Sequence, residues 1–220
     1  METVKSKEAY LEQFSGSQTP SEKQKFALEQ ALETRKFEIE LYWRRSAYFW
    51  TFIAAAFAGF FLLSKPSATN LFEIHYLVSC IGFVFSIGWY FVIRGSKAWQ
   101  RNWEAHVDLL ENEIMGPLYK MGQISNQYSL TKLTTPYPFS VSGINQILSL
   151  FIIFIWFYLI LYSLSDFNFN DNMHWFSFFF ITAIVLLTLF LMLKNGVRTP
   201  SKNELKINLK LRKYFDSEHN

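Results

Sequence analysis

The chain has 220 residues, 50% of them hydrophobic and 19% aromatic, with 24 Phe against 9 Gly. That much apolar surface excludes a disordered chain, and a lone cysteine, Cys80, excludes a disulfide framework. A net charge of +3 does not by itself suggest a nucleic-acid footprint.

Residues 1–45 are polar and of mixed charge, unlike a signal peptide. Residues 1–18 are expected to be frayed. Thr19-Pro20-Ser21-Glu22 reads as a helix start, with Thr19 as N-cap, Pro20 at the first helical position and Glu22 at the third. Phe26, Leu28, Leu32, Ile39 and Tyr42 follow as a partial apolar stripe. No breaker precedes Arg45, so this helix is expected to continue into the next segment.

Four uncharged stretches come next: 46–64, 74–93, 144–164 and 172–193. Each has the roughly 20 residues a helix needs to cross a bilayer, and unpaired backbone groups cannot remain in lipid, so each is expected to be helical. The predicted organisation is therefore an N-terminal segment (1–45), a first transmembrane hairpin (46–93), a central segment (94–143), a second hairpin (144–193) and a basic tail (194–220). The three segments outside the hairpins hold eight, five and seven Lys and Arg, whereas the two short connections within them hold only Lys65. That bias places both termini and the central segment in the cytoplasm.

The first two spans differ from the last two. Ala54 and Ala58, and Ala55 and Gly59, are small pairs four residues apart, and Ser79, Gly82 and Ser86 form a small face on the second span. Such faces let helices approach closely in lipid. Phe151-Ile152-Ile153-Phe154-Ile155-Trp156-Phe157 is bulky all round and reads as lipid-facing. An inner hairpin of spans one and two is expected, with spans three and four outside it. His75, at the edge of span two, reads as a solvated interfacial residue. The spans carry no buried carboxylate of the kind a coupled transporter uses.

Beyond span two, Trp99, Trp103, His106, Leu110 and Ile114 share one helical face, and Arg94, Lys97, Arg101, Glu104, Asp108 and Glu111 the opposite one. The basic end of the charged stripe lies nearest the bilayer, suited to anionic headgroups. Gly116-Pro117 is expected to end the helix. His106 faces away from the carboxylates, so no metal site is expected. Thr131–Pro138 reads as a loop and Ser201–Phe215 as a surface amphipathic helix.

Several strings in this stretch are similar to those of the RipA-family octameric membrane proteins of bacteria. They are Glu40-Leu41-Tyr42-Trp43-Arg44-Arg45, Ser86-Ile87-Gly88-Trp89-Tyr90, Arg94-Gly95-Ser96-Lys97-Ala98-Trp99-Gln100-Arg101-Asn102-Trp103-Glu104 and Gly116-Pro117-Leu118-Tyr119-Lys120. The resemblance covers roughly residues 36–120. It implies a homo-octamer in the cytoplasmic (inner) membrane and no settled reaction or ligand. It marks Trp43, Arg44, Gly95, Ser96, Lys97, Trp99, Arg101, Asn102, Trp103, Glu104, His106, Asp108 and Glu111 as assembly or signalling residues.

The expected protein is thus an oligomeric all-α integral membrane protein, with four transmembrane helices and cytoplasmic helical extensions. The span contacts are assigned to Ala55, Gly59, Ser79, Gly82 and Ser86. It would be a non-enzymatic scaffold or sensor whose partners are further copies of itself and membrane lipids, without a cofactor or catalytic residues. The alternative is a ring-shaped ion or small-solute channel.

Overall fold

The structure, a computed structural model, describes residues 7–14, 20–63, 71–121 and 137–197. Among these described residues five α-helices appear in chain order: α1 (Lys7–Glu12), α2 (Glu22–Leu63), α3 (Leu71–Ile114), α4 (Val141–Ser163) and α5 (Asn172–Gly196), with a 3-10 turn at Leu164–Asp166. There is no strand among the described residues. Helices α2 to α5 are each long and apolar enough to cross a membrane. Thr19, the loop 131–136 and the expected tail helix over 201–215 lie outside the described residues.

Helices α2 and α3 run unbroken for 42 and 44 residues, each joining a polar stretch to an apolar one. At the far end of α3, Gly116 adopts φ +76°, a left-handed conformation that stops the helix where the Gly-Pro pair requires. Helix α4 begins at the N-cap Ser140, which accepts from the Gly143 N–H, and α5 at Asp171, which accepts from the Met173 N–H.

The start of α2 differs from expectation. The Ser21 N–H donates to Gln24 Oε1 at 2.9 Å and the Gln24 N–H returns to Ser21 Oγ at 3.2 Å. The reciprocal capping box is therefore Ser21/Gln24, two residues later than Thr19 would place it. Ser21 also donates its hydroxyl to the Phe14 carbonyl, tying the turn after α1 to the first turn of α2. Ser21→Ala is expected to cost about 1 kcal/mol, seen as a lower unfolding midpoint by circular dichroism.

The chain forms two compact units. The described part of one comes from Met1–Glu40 and Ala98–Pro138. Of the expected frayed stretch 1–18, the described residues 7–14 are packed: Tyr10 of α1 is only 3% exposed and packs with Leu28, Ala31, Val107 and Leu110. A six-residue helix has no stability of its own in water, so this packing holds it.

The other unit comprises Leu41–Lys97 and Phe139–Thr199. Its interior holds two aromatic clusters, Tyr42, Ile53, Trp89 and Ile93 in one and Phe72, Tyr76 and Cys80 in the other. The same unit buries a small and polar seam: Ser46, Ser79, Ser86, Ser149 and Ser163 are fully buried. Helix α4 is not lipid-facing all round. Asn145, Ser149, Trp156 and Ser163 are its buried residues, and Trp156 covers Gly82 while stacking on Phe57 at 4.2 Å. One face of the bulky run is thus shaped to the small face of α3. Helix α5 has no buried residue and fits the expected peripheral place.

Candidate functional site

In the membrane unit, Gly82 and Ser86 of the predicted span contacts sit inside. Ser86 Oγ donates to the Gly82 carbonyl at 2.7 Å, keeping its hydroxyl on its own helix, as Ser149 and Ser163 do with the Gln146 and Ile160 carbonyls. Ser79 is buried and its Oγ has no hydrogen-bond partner among the described residues. Gly59 is half-buried, its nearest potential neighbour being Val78. Ala55 is exposed, so it is not a contact within this chain.

Polar anchors flank the seam. Asn145 Nδ2 donates to Tyr42 Oη at 2.8 Å and to Ser46 Oγ at 3.3 Å, joining α4 to α2. Arg45 Nη1 donates to Ser96 Oγ at 2.8 Å, joining α2 to α3. Bonds of this kind between membrane helices contribute about 0.6 kcal/mol on average. Asn145→Ala is therefore expected to cost about 1 kcal/mol, read as a lower midpoint in detergent unfolding.

Of the other motif residues in this unit, Ser96 is buried, Lys97 half-buried, and Trp43, Arg44 and Gly95 are exposed. A side chain on Gly95 would meet nothing within 4 Å.

At the other end of the seam, His75 is not solvated. It is 5% exposed, stacks on Phe60 at 4.8 Å, and places Nδ1 3.4 Å from Asp166 Oδ2. The turn after α4 supplies the carboxylate that draws the imidazole inward. Beside it His174 accepts at Nδ1 from the Asn168 N–H at 2.9 Å. In the neutral ring its proton is then on Nε2, which lies 3.3 Å from Glu73 Oε1 and 3.8 Å from Asp171 Oδ2. A metal ligated through Nε2 would need the opposite tautomer. No group of three or more His, Cys, Asp or Glu among the described residues is arranged to hold a metal ion. The Glu73–His174 pair was missed in the sequence, where the residues stand 101 positions apart.

In the other unit, Trp99, Arg101 and Asn102 are exposed, while Trp103 packs against the Tyr10 cluster of its own chain. His106 accepts from or donates to Tyr10 Oη at 2.8 Å and lies against Trp103 with centroids 5.4 Å apart. Burial lowers the His106 pKa below its ordinary value and pushes the Tyr10 phenol up to about 12. The resting pair is therefore a phenol donating to a neutral imidazole. Glu104 and Asp108 are half-buried.

Glu111 contradicts its predicted place on the solvent face: it is fully buried. The Tyr119 N–H donates to its Oε2 at 2.8 Å, and Lys120 Nζ stands 3.6 Å from Oε1. The buried face actually runs through Gln100, Trp103, Val107, Leu110 and Glu111, rotated by about 50° from the predicted one at 100° per residue. Glu111 folds the Gly116 turn back onto α3.

The residues singled out in the sequence therefore comprise those that pack their own chain (Ser79, Gly82, Ser86, Ser96, Trp103, His106, Glu111), those facing outward (Trp43, Arg44, Ala55, Gly95, Trp99, Arg101, Asn102) and the half-buried Gly59, Lys97, Glu104 and Asp108. They do not converge on one pocket. No curated protein and no solved structure matches the chain. A model of the octameric membrane protein family (8xMP) matches residues 25–165. Spanning well over half of the chain, that match makes this protein a member of the octameric membrane protein family.

Proposed function

We propose that the chain is a non-enzymatic scaffold or sensor that assembles as a homo-octamer, of RipA type, in the bacterial inner membrane. Both termini and the unit built from residues 1–40 and 98–138 would face the cytoplasm, where the Lys and Arg bias puts them. The observation that carries the assembly is the outward face of the first span. Ala47, Thr51, Ala54 and Ala58 recur at intervals of four, three and four residues and are all exposed. Ser46, Ile53 and Phe60, on other sides of the same helix, are buried in their own chain. An unbroken small-residue face directed outward suits a neighbouring helix better than lipid tails. The family description, octameric, supports an assembly of eight copies.

The test is native mass in lipid nanodiscs. The wild type is expected at eight copies, and Ala54→Leu with Ala58→Leu at fewer. Leucines facing lipid would be harmless, so an unchanged mass in that variant contradicts the role of this face, and a single-chain wild type contradicts the assembly. The channel alternative gains no support from the interior of the membrane unit, where Trp156 fills the space over Gly82.

A further inference from the structure

We propose that the first nineteen residues of α2, Glu22–Glu40, dock head to tail onto the same stretch of a second copy, with Phe37 of one chain entering a groove beside Ile39 of the next. The proposal rests on the assembly reading and adds the surface and its direction. This stretch holds nine Lys, Arg and Glu, so it meets water rather than lipid. Yet Phe26 and Phe37 are 63% and 54% exposed. They stand eleven residues apart, about three helical turns, with Gln30 and Glu33 between them on one stripe. Two aromatic rings on a charged, water-facing helix are placed for a partner.

Another side of the same stretch carries a candidate receptor. Leu32, Ile39 and Tyr119 line an open groove of about 670 Å³ together with the charged Glu33, Arg35, Lys36 and Glu40. Arg35 lies over the Tyr119 ring, 5.1 Å from its centroid, and so helps hold that wall in place. Neither Phe26 nor Phe37 lines the groove, so ridge and groove are adjoining faces that share Glu33. A surface that offers both associates heterologously, and heterologous contacts form a ring where the rotation between copies closes. Depth also matches. Copies related by an axis along the bilayer normal place equal residues at equal height, so Phe37 arrives at the level of residues 32–39 of its neighbour.

Disulfide trapping in native membranes tests this. Phe37→Cys combined with Ile39→Cys, treated with a mild oxidant, is expected to give a covalent ladder up to the full assembly. These two positions point to different sides of one helix and cannot pair within a chain. Phe37→Cys alone should give no dimer, because the ridge does not meet itself. A strong dimer from Phe37→Cys alone, or no ladder from the double variant while its native mass equals wild type, overturns the proposal. As a second reading, Phe37→Asp changes an exposed position and is expected to reduce the native mass by at least half. An unchanged mass counts against the docking face. A wild type that runs as one chain would instead defeat the assembly reading itself.

Discussion

Gly82→Ala is expected to destabilise the protein by about 2 kcal/mol, a large effect for one methyl group. The cause is local: a methyl at residue 82 would overlap the Trp156 indole, which is fully buried. The indole cannot withdraw, because Phe57 stacks against it at 4.2 Å with the rings 23° from parallel. In lipid there is little hydrophobic penalty to separation, so stability comes from close packing, and lost contact is lost stability. Trp156→Ala should cost about 3 kcal/mol by leaving the complementary void. The two changes are expected to be strongly non-additive, since each removes the same contact. Gly95→Ala supplies the contrast. Its methyl would meet nothing within 4 Å on an exposed helical turn, so the same substitution should stabilise by about 0.5–1 kcal/mol through helix propensity. Equilibrium unfolding in mixed micelles measures all of these. Equal effects at residues 82 and 95 would remove the role given to Trp156.

Tyr10→Ala is expected to release α1. Truncating a buried aromatic costs about 3–5 kcal/mol, more than a six-residue helix can replace with its remaining partly buried contacts through Ala9, Leu11 and Phe14. Protease cleavage near residues 7–14 should become rapid while the α2–α3 packing persists. Tyr10→Phe keeps the ring and loses only the bond to His106, for about 1 kcal/mol. The wild-type contact should also depend on pH. The folded-state pKa of His106 lies below its ordinary value because of burial. The docked state therefore favours the neutral ring, and its contribution is fully present above about pH 6.5. It declines as pH falls through the lowered folded pKa. Tyr10, held up to about 12, stays a phenol throughout and adds no slope of its own. The hydrogen-exchange protection factors of α1, taken relative to the intrinsic exchange rate at each pH, should fall on acidification. Protection factors that rise on acidification would show that the buried imidazole is charged in the docked state.

The four long apolar helices were legible because lipid imposes a composition that no soluble element of that length shares. The stop of α3 was legible because Gly116-Pro117 carries its own stereochemistry. Features that depend on distant partners were not. His75 reads as solvated until Asp166, 91 residues on, is brought beside it. Trp156 reads as one bulky residue among many until Gly82 is found beneath it. Glu111 belongs by period to a charged stripe, and its partners Tyr119 and Lys120 lie past a turn that breaks the period. Phe26 fits an apolar stripe by spacing but is exposed, because the packed side of α2 passes through Leu28 and Ala31. The outward residues carried no such signal. Periodicity separates faces of a helix and does not say whether a face meets its own chain, lipid or another copy.

The threading underlies everything else, and an impermeant thiol reagent applied to intact cells tests it most directly. The native Cys80 is buried and serves as the unreactive background. A cysteine at Asn170, in the exposed turn between α4 and α5, is expected to label from outside. One at Glu113, exposed near the end of α3, should label only after the cells are opened. Labelling of Glu113→Cys in intact cells, with Asn170→Cys protected, would contradict the account.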